Sequence, residues 1–60
     1  MTATGVLDLI YHALVLAKDA RIHDVTNDTD GEILLTTDEG GQKQAWVLAA
    51  DALVETDPVG

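Results

Sequence analysis

Carboxylates and amides crowd one short stretch of this chain, Asn27-Asp28-Thr29-Asp30-Gly31-Glu32. Oxygen ligands packed ahead of a glycine are what a calcium loop is made of. A loop of the helix–loop–helix type needs oxygens at positions 1, 3 and 5, glycine at 6 and a bidentate Glu at 12. With Gly31 at position 6, Asp28 and Asp30 fall at 3 and 5, but Thr26 falls at 1 and Thr37 at 12. Both anchoring carboxylates are therefore missing. The residues that follow, Glu32-Ile33-Leu34-Leu35-Thr36-Thr37, suit a strand rather than the second helix of such a site. Asp and Gly are also the ordinary residues of a hairpin turn, and the stretch is read as one.

Other chemistry-bearing residues are sparse. His12 follows Asp8 by four positions, and His23 is next to Asp24. The first pair reads as a solvated helix-surface contact, and adjacent strand residues point to opposite faces. Two histidines without cysteine fall short of the three or four converging ligands a zinc site requires. The chain contains neither Ser nor Cys, the usual acyl-transfer nucleophiles. Thr2 has no evident base, Asp38-Glu39 reads as a solvated turn, and Gly40-Gly41 lacks the Lys and helix of a phosphate loop. The expectation is a non-enzymatic protein with no catalytic residue, no metal and no cofactor.

Composition narrows the partners. Eleven acids against three Lys and Arg give a net charge of -8 on 60 residues. Direct nucleic-acid binding needs cations to replace counterions along the phosphates, and anionic membranes repel such a chain. A basic protein surface is the favoured partner, and encounter with it would be electrostatically accelerated. The same acidity also serves solubility or a salty cytoplasm. The apolar run Leu9 to Ala17 is interrupted by His12 and follows Asp8; it is too short to span a bilayer and lacks a basic leader, so a cytoplasmic protein is expected.

The elements that must hold these residues follow from periodicity. Residues 4–19 read as a helix, with Thr4 as N-cap, Asp8 near the positive end of the dipole and Lys18 in the last turn. Asp8, His12 and Asp19 share one narrow stripe, and the apolar arc opposite is much wider than the ~100° that one packing partner covers. Residues 21–28 and 32–38 read as strands joined at Asp30-Gly31. A three-residue loop, Thr29-Asp30-Gly31, with Gly31 left-handed, places Val25 on one face with Ile33 and Leu35. That register leaves Ile22 on the polar face unless a bulge near the strand start corrects it. Residues 42–49 read as a third strand after a four-residue turn, Asp38 to Gly41, which sets Trp46 opposite Ile33. The rival is a helix over 44–55, on which Trp46, Ala50 and Leu53 fall at helical spacing. A helical turn at 50–52, a short strand at 53–55 and a frayed acidic tail over 56–60 complete the chain.

These elements give an α+β fold, one domain over 1–60 with an N-terminal helix packed on an antiparallel meander of three or four strands. A small SH3-like barrel with an N-terminal helix, or an αββα arrangement, are the alternatives. A domain this small buries only about 60% of its unfolded surface and, lacking cysteine, needs another staple. Excess apolar surface points to a homodimer through Leu7, Ile10 and Leu14 of the helix or Leu34 and Val47 of the sheet. Asp24, Asp28, Asp30, Glu32, Asp38 and Glu39 form the expected partner-binding acidic surface. The function expected is a small binding or inhibitory module that acts as a homodimer on a basic protein. The alternative is a nucleic-acid mimic that blocks a DNA- or RNA-binding protein, a role suited to a viral genome. It requires carboxylates in a row spaced like phosphates.

Overall fold

A computed structural model of the chain describes residues 1–28 and 30–59. One helix, α1 (Ala3–Ala17), packs on an antiparallel sheet of β1 (Ile22–Asn27), β2 (Ile33–Glu39) and β3 (Gln42–Leu48) in the order β1-β2-β3, and a single 3₁₀ turn, η1 (Ala50–Ala52), follows. The architecture is α+β, and the sheet is open. Among the described residues β1 and β3 each pair with β2 and not with each other, so the sheet does not close into a barrel. An αββα arrangement is also ruled out, since residues 42–48 are a strand.

The helix begins earlier than its sequence suggests. Thr2, not Thr4, is the N-cap: its extended backbone (φ -85°, ψ 164°) lets its side-chain oxygen accept from the Gly5 N–H at 3.1 Å. Capping at Thr2 lengthens the helix by two residues relative to a cap at Thr4. Asp8 consequently lies beyond the first turn, and Lys18 is the C-cap in the left-handed region (φ 48°) rather than a last-turn cation. Asp19 then redirects the chain. Its carboxylate accepts from the Arg21 backbone N–H at 2.9 Å, and its carbonyl accepts from the Ile22 N–H at 3.0 Å.

The first hairpin follows the expected register. Asn27 pairs with Ile33, the Asp28 N–H donates to the Glu32 carbonyl at 2.8 Å, and Gly31 has φ 84°. Thr29 lies outside the described residues. The bulge also occurs where it was required. Ile22 pairs with Thr37 and Asp24 with Thr36, so His23 is the extra residue and Ile22 turns to the face of Leu35.

The second hairpin differs from expectation by two residues. Glu39 pairs with Gln42, so the loop is Gly40-Gly41 and Trp46 lies opposite Leu35, not Ile33. Both glycines have positive φ, 64° and 85°, as a two-residue primed turn requires. A four-residue loop would have wasted that pair. The error is even-numbered, so the faces are unchanged: Gln44, Trp46 and Leu48 share the inner face with Ile33 and Leu35. The expected strand at 53–55 does not form. The chain leaves η1 at Leu53 and has no regular structure over 53–59.

The core is small. Leu7 (1% exposed) and Ile33 (0%) are the buried residues among those described, and Ile10, Tyr11 and Leu14 continue the same helix face half-buried. The helix lies nearest β1 and η1. Its N-terminal end meets the first hairpin, where a Cβ on Gly31 would come within 3.3 Å of the Thr4 methyl.

Candidate functional site

The acidic turn is satisfied by its own backbone. The Asp28 carbonyl accepts from the Gly31 N–H at 3.0 Å, and its carboxylate accepts from the Asp30 N–H at 3.4 Å. Among the described residues, no three His, Asp or Glu side chains converge into a group that could hold a metal ion. His12 lies on the helix surface with Nδ1 2.8 Å from the Asp8 carbonyl oxygen and 3.5 Å from its carboxylate. His23 stands exposed in the β1 bulge.

The shortest ion pair among the described residues joins Asp19 and Arg21, which the sequence did not single out as partners. Arg21 grips Asp19 with two parallel bonds, Nε to Oδ1 at 2.9 Å and Nη2 to Oδ2 at 2.7 Å. These side-chain bonds first, and the Arg21 backbone N–H second, hold the Asp19 carboxyl well below the usual carboxylate range. The guanidinium is correspondingly held further above its ordinary value, with Glu39 adding a smaller contribution. The signal was present as Asp-x-Arg at the helix exit, where an aspartate two residues ahead of an N–H readily forms a local turn. The pair takes up one cation and one carboxylate together, so the rest of the chain still carries the whole net charge of -8.

Two surfaces flank this small core. The outer sheet face has Leu34 and Val47, a register pair, at its centre, 45% and 60% exposed. Strand alternation puts Asp24, Glu32 and Asp38 on or beside that face. Asp38 pairs across the sheet with Lys43. Glu39 is on the opposite face, and Asp28 and Asp30 belong to the far hairpin. The six acids are thus divided between two ends and two faces rather than lined up in one row. The inner face is only half covered. Between the end of α1 and β3 runs an open trough of about 730 Å³ lined by Leu14, Ala17, Ile22, Leu35, Trp46 and Leu48 with polar neighbours. Trp46 is 47% exposed, and its indole N–H donates to the Thr37 hydroxyl at 3.0 Å.

The expected interface residues separate into two groups. Leu7 is inside the chain's own core, so no second copy can reach it, and Ile10 and Leu14 lie half-buried beside it. The helix presents Leu9, Val15 and Leu16 outward instead, at 56%, 47% and 75% exposed. Periodicity defines an apolar arc but not which flank of a wide arc faces the sheet. No protein-family model, curated protein or solved structure matches the chain. Among the described residues, no helix is long and apolar enough to cross a membrane.

Proposed function

We propose that this chain is a small acidic, non-enzymatic binding module that works as a homodimer and docks on a basic protein surface. The observation that carries the reading is uncovered area. A compact monomer of 6.4 kDa should expose about 3,800 Å², whereas this chain exposes 4833 Å². The difference, roughly 1,000 Å², exceeds what one partner contributes to a standard interface. The tail after Leu53 supplies part of it; Leu9, Leu16, Leu34, Trp46 and Val47 supply apolar area on folded elements. The radius of gyration agrees, at 12.8 Å against about 10 Å for a compact chain of this length.

The docking half of the proposal combines charge with shape. Leu34 and Val47 give an apolar centre, and Asp24, Glu32 and Asp38 give an acidic border. An interface of that kind gains affinity at its centre and specificity from its rim. The test has two arms. Light scattering on the purified chain at micromolar concentration should give twice the monomer mass. Immobilised wild type should retain a basic protein from host extract at low salt and release it at high salt, and the triple variant Asp24→Lys, Glu32→Lys, Asp38→Lys should not retain it. A monomeric mass removes the assembly half. Equal retention by the triple variant removes the docking half.

A further inference from the structure

We infer that the second copy joins through the free edge of β3, so that two sheets become one six-stranded sheet across a two-fold axis. This rests on the homodimer reading above and specifies its surface. The edge is open in the strict sense. The two-residue loop makes Glu39 and Gln42 the closing hydrogen-bonded pair. Even-numbered β2-side residues bond toward β1, as the Asp38 N–H to the Arg21 carbonyl (2.8 Å) and the Glu32 carbonyl to the Asp28 N–H (2.8 Å) demonstrate. Odd-numbered residues of β2 therefore serve β3. By the same alternation, Gln42, Gln44, Trp46 and Leu48 bond to β2, and Lys43, Ala45 and Val47 direct their N–H and C=O groups away from the sheet.

The two sheet edges are treated differently. β1 is interrupted by the His23 bulge, carries Asp24 and has the helix beside it, which are common ways of blocking strand addition. β3 runs seven residues with no proline and no register shift. Charge points to the same edge. Two copies at -8 repel, yet residues 40–50 contain no Asp or Glu and include Lys43. Approach along β3 brings together the strand that carries least of the repulsion.

Any antiparallel register of two identical strands is two-fold, so the number of outward groups paired selects among them. Lys43, Ala45 and Val47 are evenly placed about Ala45, so an antiparallel partner pairs Ala45 with Ala45 of the second copy and Lys43 with Val47 of the second copy. Every outward backbone group of those residues gains a partner. On the inner face, each Trp46 comes beside Gln44 of the second copy and diagonal to the other Trp46, within reach of a large side chain. The troughs of the two copies meet there, and the half-exposed indoles are covered.

The absence of cysteine makes a crosslink decisive. Residues hydrogen-bonded across antiparallel strands have Cα atoms about 5.5 Å apart and Cβ atoms too far apart for a relaxed disulfide, but well within reach of a short bismaleimide. Ala45→Cys should be joined between copies by such a reagent at equimolar concentration, and Leu9→Cys on the helix should not. Ala45→Pro removes an outward N–H that β2 does not use, a position where proline is tolerated. It should keep its far-UV circular dichroism and weaken the dimer by about tenfold or more, read by light scattering on dilution. If Ala45→Pro loses its fold, the pair of cysteine variants decides alone. A dimer that survives Ala45→Pro, or crosslinks through Leu9→Cys and not Ala45→Cys, overturns the β3 edge and leaves the homodimer standing. A wild-type monomer removes both.

Discussion

Leu7 and Ile33 are the two buried residues among those described, so each carries an unusual share of the fold. Full burial of such a side chain contributes about 1.5–3 kcal/mol, and truncation to alanine adds the cost of a cavity. Leu7→Ala should lose about 2–5 kcal/mol, enough to unfold a domain this small, with loss of the circular dichroism signal at 25 °C as the readout. Leu16→Ala, on the outward helix flank, should leave monomer stability within about 0.5 kcal/mol. Asp19 supplies a pH signature. Its folded-state carboxyl is held below its unfolded value, so its contribution is present above about pH 4 and fades as pH falls toward the folded value. The pair is solvent-exposed, which keeps the effect small. The urea midpoint of wild type should exceed that of Asp19→Asn near neutrality, and the gap should shrink steadily below pH 4. A gap independent of pH would mean that Asp19 acts only through its backbone turn.

At the scale of elements, turns decide where strands meet. The Gly40-Gly41 loop holds two positive φ angles, and nothing lies within 4 Å of a Cβ built on either glycine. Strain there is thus conformational and not steric crowding. Gly40→Asn should be nearly neutral, because asparagine tolerates the left-handed region, and Gly41→Val should destabilise by about 1–2 kcal/mol, since a β-branched residue does not. Thermal melts of the two variants check this. The same physics applies to Lys18, a non-glycine C-cap at φ 48°. Lys18→Gly should raise the melting temperature, since glycine adopts that conformation without a Cβ penalty.

For the whole molecule, shape and charge act against each other. The body measures 38 × 29 × 18 Å, one helix deep on one sheet, and leaves apolar area on both layers. A net charge of -8 opposes the self-association that would cover it. Added salt screens that repulsion, with a Debye length near 10 Å at 0.1 M. The homodimer should accordingly tighten between low and moderate salt, while attachment to a basic partner should weaken over the same range. Sedimentation equilibrium and partner-binding titrations run in parallel salt series measure the two slopes. Equal signs would contradict the assignment of the acid-free β3 edge to self-contact and of the acid-rimmed outer sheet face to the partner.

Some of this was legible in the residues. Helix and strand periods, the left-handed Gly31, the parity of each strand and the need for a bulge before Asp24 are local or nearest-neighbour properties. They depend on rotamer, turn and alternation rules that act within a few residues. The hairpin between Asn27 and Ile33 was likewise legible in its Asp and Gly residues. The second hairpin's register is not legible in the residues, because two turns that differ by two residues preserve the same faces, and the pairing of Glu39 with Gln42 distinguishes them. Only the tertiary structure decided that Leu7, rather than Leu9 or Leu16, turns inward, because a helix apolar over most of its circumference has several faces that satisfy burial equally well until a sheet is placed beneath one. It also decided that β3 is left as an acid-free edge. An edge is a property of strand order, and strand order exists only once distant segments have paired.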